Sequence, residues 1–251
     1  MCLVVVAQNL HPDFPLILLA NRDEFHDRPA LPMHWWETPD VLAGTDELGG
    51  GTWLALNKAG DIAVVTNFRE NPPYVGPKSR GELPLRFVQS TDSTEGFCKA
   101  LPVAEYSGFN LLAKRAQGPA VVVRNRPDEG VETVTTGCFS VSNGPLADEW
   151  PKMRRTTGRV RDLVGQGKAS EADLLGVLMD NDQAADDDLP STGIESDVEK
   201  FLSSPFIVSE RYGTRASTMV WMGKDEARVV EYGFGREGQQ TGRKEFSWRR
   251  A

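Results

Sequence analysis

The sequence is poor in cysteine and histidine. Its 251 residues include three cysteines, Cys2, Cys98 and Cys138, and three histidines. An odd number of widely spaced cysteines is not a disulfide framework, and neither residue type has the spacing of a metal site. We therefore predict no metal centre. A reducing compartment fits this cysteine usage best.

Long apolar runs and an excess of positive charge are also missing. No stretch approaches the roughly 18 apolar residues that span a bilayer, and no basic segment precedes the first apolar run as in a signal peptide. Lys plus Arg number 28 against 36 Asp plus Glu, a net charge of -8. This is the wrong sign for a protein that neutralises nucleic-acid phosphates. We expect a cytoplasmic protein with no transmembrane segment and no nucleic-acid partner.

Two motif matches fail their structural tests. Residues 233–238 fit G-x-G-x-x-G, but too few residues follow to build the βαβ unit that binds a dinucleotide. The acidic run 180–188 lacks the glycine and glutamate of a calcium-binding EF-hand loop. We expect this run to be a solvated loop.

Two short apolar runs near the amino terminus predict a buried β-hairpin. Residues 3–7 and 16–20 are apolar, and the turn-forming residues 11–15 separate them. The proline-containing segment 28–46 predicts irregular surface structure. Further strands are predicted within 49–57 and at 62–66, 109–113, 120–124, 131–135, 139–142, 206–208, 217–221 and 227–232. Helices are predicted at 83–89, 93–101, 150–164, 171–179 and 196–202.

Clusters of polar residues follow several of the predicted strands. Residues 21–24 (Asn-Arg-Asp-Glu), 66–69 and 143–145 each come at a strand end, and 212–216 precede another strand. Because residues 21–24 and 66–69 each end a hairpin, we expect the hairpins to present them at one edge of a sheet. The end of the second apolar run lies beside the start of the first, where Cys2 is. We expect Arg22 to lower the pKa of the Cys2 thiol there, because an arginine beside a thiol favours the thiolate.

Cys2 is the candidate nucleophile. Removal of the initiator methionine, which is usual before a small residue, would leave a chain that begins with cysteine. The free α-amine could then act as general base for the thiol of the same residue. The alternatives are that Cys2 is a small buried hydrophobe, or that Met1 stays and the α-nitrogen of Cys2 is an amide.

Several short motifs occur together in a fixed order. With these motifs the sequence resembles the NRDE family, named for its Asn-Arg-Asp-Glu motif, which includes the eukaryotic transport and Golgi organisation protein 2. The matches run from residue 1 to about residue 220. They are Met1-Cys2, residues 21–24, Gly50-Gly51-Thr52-Trp53-Leu54, Thr66-Asn67, Ser79-Arg80-Gly81, Ser142-Asn143 and residues 212–215.

The resemblance implies an α+β fold and a single domain over residues 1–251. That fold is a four-layer αββα sandwich similar to the N-terminal nucleophile hydrolases. Choloylglycine hydrolases and penicillin V acylases in that superfamily use a set that is matched here in order, with Arg22 and Asp23 adjacent rather than separated by two residues. The implied catalytic residues are Cys2, Arg22, Asp23, Asn67, Asn143 and Arg215, and the expected substrate-binding residues are Asn21, Trp53 and Arg69.

The expected function is hydrolysis of a carbon–nitrogen bond in a small, non-peptide acyl amide, with no cofactor. The alternative is a non-catalytic protein that binds or traffics haem or lipid on the same fold. The resemblance implies this because the eukaryotic relatives are associated with haem and lipid handling. Haem needs an axial ligand, for which the three histidines and the cysteines are the candidates. A third hypothesis is a purely structural domain. The sequence indicates no oligomeric state.

Overall fold

The computed structural model describes residues 3–37 and 40–250, and Cys2 lies outside them. Short 3₁₀ turns occupy Val103–Glu105, Asp186–Asp188 and Arg236–Gly238. The helices are α1 Glu82–Gln89, α2 Thr94–Lys99, α3 Pro151–Gly165, α4 Glu171–Leu178 and α5 Ser196–Phe201. The strands are β1 Leu3–Gln8, β2 Leu16–Phe25, β3 Ala30–Trp36, β4 Val41–Asp46, β5 Leu54–Asn57, β6 Ile62–Asn67, β7 Phe109–Lys114, β8 Ala120–Arg124, β9 Gly130–Val134, β10 Gly137–Val141, β11 Tyr212–Met222, β12 Glu226–Phe234 and β13 Gln240–Arg249.

Within the described ranges, the named strands form two sheets, each with antiparallel neighbours. The first sheet has six strands in the order β10-β1-β2-β11-β12-β13. The second has seven strands in the order β3-β4-β5-β6-β7-β8-β9. The second sheet follows chain order, and the chain forms α1 and α2 in the long connection between β6 and β7. The first sheet joins the two ends of the sequence through β2 and β11.

Three apolar layers hold the sandwich together. In β1, Val4 and Val6 face the second sheet and pack with residues such as Leu54, whereas Leu3 and Val5 face α3 and α4. On the outer face of the second sheet, α1 and α2 cover a third apolar cluster. Successive strand residues point to opposite faces, so a strand covered on both sides must be apolar throughout. The layers are helix, sheet, sheet and helix, the predicted αββα sandwich.

The helices fit this arrangement through their apolar faces and their amino-terminal ends. In α3, Met153, Val160 and Val164 are buried at spacings close to the helical period, and Pro151 occupies the first turn. Before α4, the Ser170 hydroxyl accepts a hydrogen bond from the Asp173 amide at 3.2 Å. Ser170 therefore caps the amino-terminal end of α4.

Some predicted boundaries are wrong. Residues 28–46 are not irregular, because they contain β3 and β4, the first two strands of the second sheet. Residues 21–24 do not follow β2 but continue it, since β2 pairs with β11 as far as Phe25. No strand is assigned at 206–208, and β13 pairs with β12 beyond the last predicted strand.

Candidate active site

Four chain segments meet at one end of the sandwich. Leu3, the first residue of β1, pairs with Asn21 of β2. Val4 pairs with Val141, so the residues after β10 lie at the same end. From the second sheet, Asn67 closes β6 at this end, within reach of Asn143. The polar clusters therefore lie at the ends of two stacked sheets. The expectation that they lie at one edge of one sheet is wrong.

Arg22 and Asp23 are adjacent in β2 and point to opposite faces of the first sheet. Arg22 shares its face with the inter-sheet residues Leu18 and Ala20, whereas Asp23 shares its face with Leu19. The two side chains therefore have different surroundings, although the sequence places them side by side.

Asp23 is buried and only partly hydrogen-bonded. Its Oδ1 accepts a hydrogen bond from the Thr214 hydroxyl at 2.6 Å, and Thr214 Oγ1 accepts one from the Ile207 amide at 2.9 Å. Within the described part of the chain, Asp23 Oδ2 is buried and has no hydrogen-bond partner. A buried carboxylate oxygen without a donor is costly, so this end of β2 is arranged for a further donor.

Arg22 is held by stacking and by a long ion pair. Its guanidinium carbon lies 4.3 Å from the centre of the Trp53 ring. Its Nη2 lies 3.7 Å from Oδ2 of Asp46, and only 4% of the side chain is exposed. Burial lowers the pKa of Arg22, opposed by Glu24 and Asp46, but a guanidinium stays charged at neutral pH.

Asn67 and Asn143 are neighbours across the two sheets. Asn143 Nδ2 donates to the Asn67 carbonyl at 2.8 Å, and the Asn143 side chain is 5% exposed. Two further bonds fix the segment after β10. The Thr66 hydroxyl donates to the Ser142 carbonyl at 2.6 Å, and Asn110 Nδ2 donates to the same carbonyl at 3.0 Å. The Asn143 side chain is thus held against the backbone of Asn67, and both predicted catalytic residues line one cavity.

Arg215 lies at a β-bulge in β11 and supports the turn after β2. Its Nη1 donates to the carbonyls of Phe25 at 2.8 Å and Arg28 at 3.0 Å. Burial lowers its pKa, opposed by Glu24. Arg215 therefore adds positive charge on the same side of the first sheet as Arg22.

Asn21 has side-chain partners that indicate a structural role. Its Nδ2 donates to the carbonyls of Leu178 and Pro205, both at 2.8 Å, and its Oδ1 accepts from the Ser217 hydroxyl at 2.6 Å. The side chain is fully buried against the helical layer. Both amide hydrogens are used by the protein, so this geometry does not support the predicted substrate contact.

Arg69 also has protein partners. Its Nη1 forms a short ion pair with Glu199, and its guanidinium carbon lies 4.8 Å from the centre of the Trp150 ring. The Arg69 amide donates to the Asn143 carbonyl at 2.6 Å. The side chain fastens α5 to this end of the sandwich. Its predicted contact with substrate stays a prediction.

Three cavities open around these residues. The asparagine cavity has a volume of about 240 Å³ and is lined by Asn67, Phe68, Arg69, Glu70, Asn143, Lys152, Leu202, Ile207 and Tyr212. The arginine cavity, of about 210 Å³, is lined by Arg22, Glu24, Arg28, Asp46, Gly49, Gly51, Thr52, Trp53, Val65, Asn67, Lys78, Ser79, Arg80, Gly81 and Ser107. The Glu231 cavity, of about 430 Å³, is lined by Arg22, Ala30, Leu31, Pro32, Trp53, Arg215, Ala216, Glu231, Gly233, Phe234, Thr241, Gly242, Arg243 and Lys244.

Three shared residues connect the cavities. Asn67 belongs to both the asparagine and the arginine cavities, whereas Arg22 and Trp53 lie between the arginine and the Glu231 cavities. A ligand that extends from one cavity to the next must therefore pass predicted catalytic residues. The predicted substrate-binding residue Trp53 lies on this route.

Several residues of these cavities were not predicted from the sequence. Glu231 is fully buried, and burial raises its pKa to about 7, against the lowering effect of the Met33 amide, which donates at 2.7 Å. Asp46 and Thr214 orient Arg22 and Asp23. Ser79-Arg80-Gly81 was one of the family motifs, but no role was predicted for Arg80. Arg80 lines the same cavity as residues of β2 and β4 because the two sheets pack together. A charged residue within an apolar strand, as at Glu231, was the signal that could have been used.

The histidines do not line the three cavities. A search of residues 3–37 and 40–250 finds no group of three or more His, Cys, Asp or Glu side chains that could hold a metal ion. Of the candidate axial ligands, Cys98 and Cys138 lie in α2 and β10, where burial raises the pKa of both thiols to about 11. Haem binding, for which Cys2 is a further candidate ligand outside the described residues, stays a prediction. No helix in that part of the chain is long and apolar enough to cross a membrane.

The sandwich and its polar end define a protein of the N-terminal nucleophile hydrolase fold. A similar solved structure is the Caenorhabditis elegans orthologue of N-acylethanolamine-hydrolyzing acid amidase, with a TM-score of 0.54, 12% identity, and coverage of 88% of this chain and 92% of that chain. A variant of conjugated bile acid hydrolase from Clostridium perfringens has a TM-score of 0.50 and 10% identity, covering 98% and 92%. At these identities the likeness shows the fold alone.

Within that class, the chain belongs to the Transport and Golgi organisation 2 family, whose pattern matches residues 1–233. The Transport and Golgi organization protein 2 homolog of Bos taurus is 33% identical over 234 residues, which cover 84% of this chain and 83% of the relative. The family and the fold that the motifs implied are therefore confirmed. The catalytic roles of individual residues stay predictions.

Proposed function

We propose that this protein is an amidohydrolase that uses Cys2 as an N-terminal nucleophile and cleaves a small, non-peptide acyl amide. The observation that carries the proposal is the meeting of Arg22, Asp23, Asn67 and Asn143 around the Leu3 end of β1. Cys2 precedes Leu3 by one peptide unit, so their Cα atoms are about 3.8 Å apart in any trans conformation. The two fold neighbours named above are hydrolases by name, which agrees with this chemistry.

In the proposed first step, the Cys2 thiolate attacks the amide carbonyl carbon. The carbonyl π electrons move to oxygen, and the amide of Asn143, with Asn67 beside it, donates to that oxyanion. One such donor is worth about 2.7–4 kcal/mol in acyl transfer. Collapse of the intermediate breaks the carbon–nitrogen bond, and the α-amine of Cys2 passes the thiol proton to the leaving nitrogen.

In the second step, water attacks the thioester. The α-amine takes a proton from that water, and the carbon–sulfur bond breaks to release a carboxylic acid and the Cys2 thiol. The charge of Arg22 favours the thiolate in both steps. Asp23 Oδ2, which lacks a donor in the described residues, would accept a hydrogen bond from the α-ammonium and fix its direction.

The test is hydrolysis of a panel of acyl amides, including N-acylethanolamines, by protein whose amino terminus has been defined by mass spectrometry. We expect Cys2→Ala to abolish turnover and Cys138→Ala to retain it, since Cys138 lies in β10 with a pKa raised by burial. Turnover that survives in Cys2→Ala would exclude the mechanism. A haemin titration of the same proteins tests the alternative. Haem binding in both wild type and Cys2→Ala, with no turnover by wild type, would favour a binding protein.

A further inference from the structure

The arginine cavity carries more positive than negative charge. Lys78 is neutralised by a short ion pair with Glu105. The remaining charged residues of the cavity are three arginines, Arg22, Arg28 and Arg80, and two carboxylates, Glu24 and Asp46. Three guanidinium groups therefore face two carboxylates.

Both carboxylates lie within 4 Å of Arg28, and Asp46 is hydrogen-bonded to it. Asp46 accepts from Arg28 Nε at 2.9 Å and 3.2 Å, and it also accepts from the Gly49 amide at 2.9 Å. Burial would raise the pKa of Asp46, but these hydrogen bonds lower it overall. Glu24 Oε2 lies 3.8 Å from the same nitrogen. Arg28 is thus compensated at hydrogen-bonding distance by Asp46. Glu24 and Asp46 act on Arg22, and Glu24 acts on Arg80, only through longer-range electrostatic attraction.

In the part of the chain that the structure describes, no carboxylate lies at hydrogen-bonding distance from Arg22 or Arg80. Among residues 3–37 and 40–250, the Arg22 guanidinium donates no hydrogen bond, and its contact with Asp46 is long, at 3.7 Å. Arg80 Nη1 donates to the Gly108 carbonyl at 2.8 Å, which carries no net charge. Burial lowers the pKa of both arginines, but both remain cations. Cations held this way are costly unless an anion joins them.

We propose that the arginine cavity binds an anionic group of the ligand, a carboxylate or a phosphate, between Arg22 and Arg80. Arg22 comes from the first sheet and Arg80 from the segment before α1 on the second, so an anion here would bridge the two halves of the sandwich. A guanidinium offers a planar fork of donors that suits both kinds of anion. The volume of about 210 Å³ suits a small charged group rather than a whole ligand.

The position of Asn67 gives the direction of the rest of the ligand. Asn67 lines both the arginine and the asparagine cavities. An anionic group at Arg80 can therefore be continuous with a ligand that reaches Asn143, which is the direction that the proposed function requires. This step rests on the proposed function, which takes these cavities as the substrate site. Arg80 would select acyl amides that carry negative charge.

The test measures binding of inorganic phosphate, succinate and chloride by calorimetry at low ionic strength, in wild type, Arg80→Gln and Arg80→Lys. We expect saturable binding of phosphate or succinate but not chloride, with the stronger of the two identifying the anion. Arg80→Gln should weaken it at least about tenfold and Arg80→Lys less, because lysine keeps the charge without the fork. Arg86→Gln on α1 is the matched control and should bind as wild type does.

Equal binding in wild type and Arg80→Gln, or no binding of either anion to wild type, would overturn the inference. If Arg80→Gln does not fold, Arg80→Lys decides, and an affinity equal to that of wild type would overturn it. Anion binding and turnover are measured on the same samples of wild type and Cys2→Ala, so that the two proposals can be separated. Anion binding without turnover in the wild type would remove the hydrolase and leave the anion site, whereas turnover of neutral amides alone would do the reverse.

Discussion

The guanidinium of Arg22 rests on the ring of Trp53, with 4.3 Å between the guanidinium carbon and the ring centre. This contact joins the first sheet to the segment that enters β5 of the second sheet, and both residues separate the arginine cavity from the Glu231 cavity. The stack therefore fixes the position of a charge that the proposed chemistry needs.

A double-mutant cycle with Arg22→Met and Trp53→Leu measures this contact. We expect a coupling energy of about 0.5–2 kcal/mol in urea unfolding, because a buried cation–π pair is desolvated. The control cycle uses Lys58 and Trp35. The Lys58 ammonium lies 5.4 Å from the centre of the Trp35 ring, and the lysine side chain is about half exposed. A coupling no larger than in the control pair would show that the stack does not hold Arg22.

Gly51 and Gly81 explain why two motifs far apart in sequence both contain glycine. A Cβ atom on Gly51 would lie 2.5 Å from the carbonyl carbon of Gly81. Gly51→Ala should therefore push the Arg80 segment away from the cavity and destabilise the protein by about 1–3 kcal/mol. Phosphate affinity should fall with it.

The control for that change is Gly158→Ala in α3. A Cβ atom there meets nothing within 4 Å. It should stabilise the protein by up to about 1 kcal/mol, because alanine is the better helix former. Urea unfolding of the two variants compares them directly. If Gly51→Ala is as stable as wild type, the close approach of the two motifs is not required.

The sequence predicted most of the elements, and its errors have physical causes. The hairpin of β1 and β2 was evident because residues 3–7 and 16–20 of these strands are covered on both sides and are all apolar. β3 was missed because it is the edge strand of its sheet, tolerates Pro32, and has an irregular register between Leu31 and His34. β13 was missed because it is a largely exposed edge strand.

The candidate site was predictable only where the motifs named its residues. Arg22, Asn67 and Asn143 came from such motifs, and the structure brings them to one end of the sandwich. The opposite facing of Arg22 and Asp23 follows from strand geometry once residues 21–24 are known to continue β2. That continuation depends on pairing with β11, nearly two hundred residues later. The compensation of Arg28 by Asp46 is more local, because the pairing of β3 with β4 places Asp46 opposite Ala30.

Glu231 should make stability fall as pH rises. Its pKa is raised from 4.5 to about 7 by burial, with Arg22 and His34 acting in the opposite direction. Its contribution is therefore fully present below about pH 4.5 and is lost as pH rises through 7. The loss is at most about 3 kcal/mol.

Glu231→Gln should remove this part of the pH dependence. The amide oxygen can still accept from the Met33 amide. Urea unfolding between pH 5 and pH 8.5 measures the effect, and Glu226→Gln, an exposed position in β12, is the control. An identical pH profile in wild type and Glu231→Gln would contradict the assignment.

Glu171 should act in the opposite direction. Hydrogen bonds from Arg243, together with those from Tyr232 and Arg228, lower its pKa from 4.5 to about 2 despite partial burial. Its contribution is present above about pH 4.5 and is lost as pH falls through 2. Because the site is near the surface, we expect Glu171→Gln to cost about 1 kcal/mol at pH 7.

The cost of Glu171→Gln should shrink at pH 3, as measured by urea unfolding at both pH values. Glu95→Gln on α2, whose carboxylate lies 3.8 Å from Lys99, should change stability little at either pH. An equal cost for the two variants at pH 7 would show that the network around α4 adds no stability.

The most direct test of the account is the reactivity of Cys2. Intact-mass analysis shows whether Met1 has been removed, and iodoacetamide labelling at pH 7 with peptide mapping then ranks the three thiols. The pKa values of Cys98 and Cys138 are raised to about 11. Under the proposed mechanism, in which Arg22 favours the Cys2 thiolate, Cys2 should react roughly two orders of magnitude faster than either. Retained Met1 together with a Cys2 that reacts no faster than Cys98 would contradict the nucleophile assignment.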